Sequence, residues 1–240
     1  MKHYPEIVEH YGAFEENDRL NTPHGQLEFL RTQTVLRQEL PGPPAIVYDV
    51  GGGTGPYADW LGSLGYESHL IDIVPRHIEQ ARSKPSSCIT SAYVGDARAL
   101  DVPNEIADVV LLLGPLYHLP DRQDRVTCWR EAARILKPSG LVVAAIISRF
   151  ASLLDGLSRD LVADPAFRSI VEVDLDTGVH ANPLATPNTS QRRTCSDPPK
   201  RRRNARKPAS PPSVWSVSRG RLGYSRTSAS GWATRPAAGS

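Results

Sequence analysis

Cysteine is scarce in these 240 residues: Cys88, Cys128 and Cys195 are scattered, odd in number and without C-x-x-C spacing. That excludes a disulfide framework and a cysteine-based zinc site, and it fits a reducing cytosol. Long apolar runs are missing as well. The longest covers residues 141–147, far short of the ~20 needed for a membrane-spanning helix. The first 18 residues are polar and acidic, unlike a secretory signal. Acidic side chains almost vanish late in the chain. Residues 187–240 hold 12 Lys/Arg and a single Asp, a net charge of +11, whereas residues 1–186 carry −9. The overall +2 therefore conceals two different polymers. Length allows one α/β domain with a sizeable core and little room for a second.

The most informative stretch is residues 47–61, VYDVGGGTGPYADWL, followed by ESHLIDI ending near Asp72. Residues 45–50 form a β-branched run expected to be a buried strand. Gly51, Gly52, Gly53 and Gly55 then make a turn in which backbone N–H groups can approach a ligand without a Cβ in the way. Residues 57–64 continue as a helix whose first N–H groups and partial positive charge point at the same place. Asp72 follows Gly51 by 21 positions, where a second parallel strand ends beside the first. A carboxylate there can accept hydrogen bonds from ribose hydroxyls. The spacing describes a nucleoside pocket.

A dinucleotide fingerprint G-x-G-x-x-G starting at Gly51 requires glycine where Pro56 stands. That disfavours a nicotinamide-dependent oxidoreductase, which stays as an alternative. The pattern present, Asp49-x-Gly51-x-Gly53-x-Gly55, resembles motif I of the class I S-adenosylmethionine-dependent methyltransferases. The resemblance continues in order over about residues 25–155. Val94-Gly95-Asp96-Ala97 follows a third strand, 89–94. Residues 107–114 (ADVVLLLG) read as a fourth, buried strand that leads into Pro115-Leu116-Tyr117-His118-Leu119. Residues 121–136 read as an amphipathic helix with Val126, Trp129, Ala133 and Leu136 on one stripe. Lys137-Pro138-Ser139-Gly140 stops it before a fifth strand, 141–147.

The resemblance implies an α/β, doubly wound Rossmann-like sheet of strand order 3-2-1-4-5. Its cofactor is S-adenosylmethionine, with Asp49, Gly51, Gly53, Gly55, Asp72, Asp96, Ala97 and Gly114 as binding residues and Asp96 near the adenine amino group. It further implies a small-molecule methyl acceptor, similar to that of the broad group including ubiquinone/menaquinone-biosynthesis C-methyltransferases. Residues 1–40 would be a helical lid carrying Tyr11, and Tyr117 and His118 would face the acceptor. Because the sulfonium already activates its methyl, no general base is obligatory. No catalytic residue is assigned; His118 is the candidate for proton transfer, beside the reading in which it and Tyr117 pack over the cofactor. No metal is expected. Gly114-Pro115-Leu116-Tyr117 keeps only part of the N/D-P-P-Y/F loop of nucleic-acid amino-methylating enzymes, so a nucleic-acid substrate is disfavoured despite the basic tail.

Residues 41–186 form the expected methyltransferase domain. In the lid, 25–40 read as a helix with Leu27, Leu30, Thr34 and Leu36 as its apolar stripe. Residues 148–161 read as another helix, 171–175 as a short strand, and His180 and Asn182 as pocket or loop residues. From Pro187 the chain is rich in Arg, Ser, Pro and Gly, with large apolar residues too sparse for a strand pair. Such composition does not offset the entropy of ordering, so 187–240 reads as a disordered basic tail, and closing strands six and seven as absent or disordered. The codons of 187–200 read one base earlier can give Glu-Tyr-Phe-Thr-Thr-Ala-Tyr-Leu-Phe-Arg, then Ser or Pro, then Ala-Glu. That aromatic, foldable stretch suggests a frame-shifted C-terminus. A catalytically impaired cofactor-binding remnant is the corresponding alternative function.

Overall fold

The computed structural model describes residue 20, residues 22–180 and the backbone of residues 193–196, 213–218 and 224–227. The first helix, α1 (Pro23–Glu39), starts where the Thr22 hydroxyl accepts the Gly25 N–H at 3.1 Å and Pro23 pre-sets the first turn. Five parallel strands follow: β1 (Ile46–Val50), β2 (Glu67–Asp72), β3 (Ser91–Val94), β4 (Ala107–Leu112) and β5 (Leu136–Ser148). They lie in the order β3-β2-β1-β4-β5, as expected. Helices α2 (Pro56–Ser63), α3 (Pro75–Ser83), the single turn α4 (Pro115–His118) and α5 (Arg122–Ile135) connect them.

Alternation along each strand divides the core into two layers. Val47, Val109, Leu111, Leu141 and Val143 pack under α1 and α2 with Leu36, Tyr57 and Leu61. Tyr48, Val50, Val110, Leu112, Val142 and Ala144 face the other way, against Cys128, Ala132 and Ile135 of α5. Strands buried on both faces are what a parallel sheet with helices on each side requires. Fully burying one such aliphatic side chain contributes about 1.5–3 kcal/mol, so these layers hold the strand ends that build the site.

Several local readings are corrected by the packing. In α1 the buried residues are Thr32, Val35 and Leu36, while Leu27 and Leu30 are 68% and 59% exposed. Phe29, whose ring lies 5.0 Å from that of Tyr57, sets the buried face one step round from the stripe read in the sequence. In α5, Asp124, Cys128, Ala132 and Ile135 point inward, Ala133 is exposed, and Val126 and Trp129 sit on the flank. The Lys137–Gly140 stretch does not separate helix from strand. β5 begins at Leu136 opposite Ala107, and the register jumps so that Leu141 pairs with Val109, which makes these residues a bulge inside the strand. Residues 171–175 are helical, within α7 (Pro165–Thr177), which follows α6 (Ala151–Ser158) and a 3-10 turn (Leu161–Ala163). Asp164 caps α7 by accepting the Ala166 N–H at 2.8 Å, and Gly178 at φ +68° ends it.

Beyond β5 the structure adds strands where the sequence suggested none. β6 (Val179–His180) runs antiparallel to β7 (Arg193–Ser196), and β7 meets β5 at Ile147 and Ser148. β8 (Ser213–Ser218) lies parallel to Leu141–Ile146, and β9 (Tyr224–Thr227) runs antiparallel to β8. The physical reason lies in β5: an apolar strand with one edge unpaired presents a row of free N–H and C=O groups that a neighbouring backbone can satisfy. The rest of 187–240 lies outside the described residues, as do residues 1–19, the part of the expected lid 1–40 that holds Tyr11. No helix among the described residues is long and apolar enough to cross a membrane.

Candidate functional site

Every strand-end position singled out in the sequence that falls on described residues converges at the C-terminal edge of β1–β4, the place where open parallel sheets bind ligands. The β1–α2 turn carries Gly51, Gly53 and Gly55 at φ +69°, +61° and +78°. Gly51 is also wedged. A Cβ there would lie 2.5 Å from the Pro115 ring, and one on Gly114 would lie 2.8 Å from the Gly51 carbonyl oxygen. The ends of β1 and β4 thus touch backbone to backbone, which only glycine on both sides permits. The turn is held from the next strand by the Gly51 N–H, which donates to the Ile71 carbonyl at 2.7 Å.

Asp72 ends β2 and is 6% exposed. Its Oδ2 accepts the Gly53 N–H at 2.8 Å, and its Oδ1 accepts the Val74 N–H at 2.9 Å and faces His77 Nδ1 at 3.1 Å. One carboxylate therefore ties the glycine turn, the end of β2 and the start of α3 together. Asp49, from the middle of β1, is 1% exposed, and neither of its oxygens has a hydrogen-bond partner among the described residues. Burial, and then the negative charge of Asp72, push its carboxyl up to about 7. The Ala58 amide draws the other way without reaching hydrogen-bond geometry. A buried unpartnered carboxylate is costly, and sites of function are where such groups persist.

Asp96 and Ala97 follow β3. Asp96 Oδ1 accepts the Arg98 N–H at 2.9 Å, and its Oδ2 lies 2.6 Å from Arg98 Nη2. Tyr117 and His118 fall on α4 directly after Gly114, their rings 4.6 Å apart. Tyr117 is buried among Ala145 and Ile147, and its hydroxyl donates to the Leu113 carbonyl at 3.0 Å. His180 lies on β6 beside β7, the strand that meets the end of β5 and contacts α4. Its Nδ1 lies 2.8 Å from Asp174 Oδ2 and 3.3 Å from Ser152 Oγ. Both contacts end on one ring nitrogen, so the three cannot relay a proton as a nucleophilic triad does. Asn182 lies outside the described residues. Among the described residues no group of His, Cys, Asp and Glu is arranged to hold a metal.

The same span matches a known family model described as "Methyltransferase domain", over residues 48–144. The chain is 31% identical over 131 residues to a chloroplastic 2-methyl-6-phytyl-1,4-hydroquinone methyltransferase of Oryza sativa, covering 52% of this chain and 37% of the rice protein. It spans less than half the length of each of the curated relatives it matches. Among solved structures, a Pyrococcus horikoshii protein superposes with a TM-score of 0.53 at 25% identity, covering 63% of this chain and 71% of that one. A SAM-dependent methyltransferase of Methanosarcina mazei shares the fold, with a TM-score of 0.52 at 20% identity over 68% of this chain and 77% of its own.

Two residues that matter to this geometry, His77 and Arg98, were not singled out in the sequence, and Gly52, read there only as part of the turn, has a second role. Gly52 walls Asp49, because a Cβ on it would lie 2.4 Å from Asp49 Oδ2. The second glycine in GGGTG, outside the x-G-x-G-x-G alternation, was the available signal. His77 backs Asp72 from α3 and is 3% exposed. Arg98 holds Asp96 and also reaches Asp124 of α5 through Nη1 at 3.1 Å. Its hydrogen bond to Asp96 keeps the guanidinium firmly protonated. Asp96-Ala97-Arg98 in sequence could have suggested the first half of that pairing but not the second.

Proposed function

We propose that the methyltransferase domain binds S-adenosylmethionine at the C-terminal edge of β1–β4 and transfers its methyl group to a small-molecule acceptor. The observation that carries this reading is Asp49. A carboxylate buried beneath a glycine turn, with no partner of its own, fits a ligand that brings positive charge or N–H donors. S-adenosylmethionine has an ammonium group, and its sulfonium supplies an already activated methyl. A dinucleotide would instead bring a diphosphate towards Asp49 and Asp72, which like-charge repulsion disfavours; Pro56 argues the same way.

On this reading the residues divide the work. The amides of the Gly51–Gly55 turn and Asp49 hold the amino-acid end, Asp72 holds ribose, and Asp96, fixed by Arg98, faces adenine beside Ala97. Gly114, packed against the Gly51 carbonyl, holds the end of β4 tight to the turn beside the reacting centre. Tyr117 and His118 border the acceptor side and act by excluding water and orienting, which together can supply most of the acceleration. The hydroquinone acceptor named for the rice relative supports a small aromatic acceptor, and the scattered cysteines support a cytosolic setting. Calorimetry with S-adenosylmethionine and with NADH tests the cofactor: saturable heat only with the former is expected, and heat only with NADH refutes the reading. Transfer of labelled methyl to a panel of hydroquinones, amines and tRNA then tests the acceptor. Labelling of tRNA alone would overturn the small-molecule class.

A further inference from the structure

Between α5, α4 and β5 lies a cavity of about 280 Å³ lined by Leu116, Tyr117, Val126, Trp129 and Ile146 together with Arg122 and Arg125. Arg125 is anchored, its Nη1 donating to the Leu119 and Pro120 carbonyls at 2.7 and 2.8 Å. Val126 and Trp129, three apart, present an apolar flank of α5 toward the cavity. The edge of β5 beside it is shared by two separate segments, β8 along Leu141–Ile146 and β7 at Ile147 and Ser148. The groove thus asks for an element with small apolar residues and acidic charge, and the adjoining sheet edge for one apolar strand.

The codons of the tail supply both. In a frame one base earlier, the last two bases of every new codon are the first two of the next old one. Only the first base, a degenerate third position, is free. Cys195 after Thr194 then forces Leu, Met or Val; Trp215 after Val214 forces the same set; Tyr224 after Gly223 forces Leu, Ile or Val. The basic block 200–207 admits a change of sign, because its Lys and Asn codons become Glu, Gln or Lys and its Arg codons become a small residue or one of these three. Residues 198–210 admit Pro-Ala-Glu-Ala-Glu-Glu-Glu-Arg-Glu-Glu-Ala-Gly-Phe, with proline at the helix start, acidic residues in its first turn and glycine past its end. Residues 210–218 then admit Ser-Ala-Val-Ser-Val-Val-Gly-Val, a β-branched run. The stretch before it, through residue 196, admits the aromatic run already described. The shifted frame thus admits a helix start, a helix stop and a strand in one continuous stretch.

We infer that residues 187–240 are an out-of-frame reading, and that the same codons read one base earlier encode an acidic helix that fills the groove between α5 and Ile146, followed by the strand that completes the edge of β5. The negative helix meets Arg122 and Arg125, and its alanines allow close approach to Val126 and Trp129. The net charge then stays of one sign along the chain.

Sequencing the source gene through codons 187–226 tests the reading first. An open shifted frame is expected. Pro187, Ser196, Pro199, Arg203 and Arg206 each place a stop in that frame if their codon ends in T, and any such stop overturns the inference. The seat of the helix is tested by restoring the frame and comparing that protein with the 240-residue chain. The restored protein should melt at least about 5 °C higher, and Arg122→Glu should lower its melting temperature by ~2–4 °C while leaving the 240-residue chain unchanged. Amide exchange across α5 should also slow in the restored protein alone. Equal melting temperatures, or an equal effect of Arg122→Glu on both proteins, would overturn the docking of the helix even if the frame is open.

Discussion

Asp49 makes the stability of this fold depend on pH in an unusual direction. Its carboxyl moves from 3.8 to about 7 on folding, driven first by burial and then by Asp72. Folded protein therefore keeps a proton that the unfolded chain releases between pH ~4 and ~7, and stability falls as pH rises through that window. Below it the contribution is fully present, and above it there is no further loss. At about 1.36 kcal/mol per unit, the full effect is on the order of 4 kcal/mol, a large share of the ~5–15 kcal/mol typical of a domain. Asp49→Asn keeps the shape and removes the titration. Urea unfolding of both proteins from pH 4.5 to 7.5 should show the variant gaining on the parent by a few kcal/mol, with other titrating groups cancelling in the difference. A cationic ligand at this site favours the ionised form, so saturating S-adenosylmethionine should shrink the gap at pH 7.5. A parent–variant difference that stays constant within about 0.5 kcal/mol across the range would refute the argument.

Asp72→Ala should lower S-adenosylmethionine affinity roughly 10- to 150-fold, the equivalent of ~1.5–3 kcal/mol for a charged hydrogen bond. It should also lower the melting temperature, because the Gly53 and Val74 amides lose their acceptor; calorimetry and a melt on one sample check both. Arg98→Met leaves Asp96 and Asp124 without their shared cation, and urea unfolding should show a loss of about 3–5 kcal/mol. Burial, followed by the charge of Asp96, pushes the Cys128 thiol up to about 12, so it should resist alkylation at pH 8 in the folded protein while exposed Cys88 reacts. Peptide mass mapping after a short iodoacetamide pulse decides this, and equal labelling would count against the burial argument.

The sheet and the glycine turn were legible because their signals are local. A β-branched run, positive-φ positions and a helix start occupy consecutive residues, and the apolar runs of β4 and β5 admit little besides buried strands. Helix faces were harder. Around α1 and α5 more than one stripe has the right period, and Phe29 on Tyr57 or Cys128 on the sheet decides between them only once the layers are stacked. Val171-Glu172-Val173-Asp174-Leu175 alternates like a strand, yet Asp164, Pro165 and Gly178 bracket a helix, and those flanking signals outweighed the pattern. The site divides in the same way. Glycines and strand-end carboxylates were visible, but the bond from Gly53 to Asp72 and the reach of Arg98 to α5 depend on which strands and helices become neighbours.

Asp72 has one further consequence. A carboxylate offers roughly four lone-pair directions. With the proton on His77 Nδ1, the Val74 amide and His77 occupy both positions on Oδ1, and the Gly53 amide takes one of the two on Oδ2. Among the described residues a single vacancy remains. A sugar diol that grips both oxygens must evict His77, and with it disturb the first turn of α3. A sugar that takes only Oδ2 leaves that helix where it is.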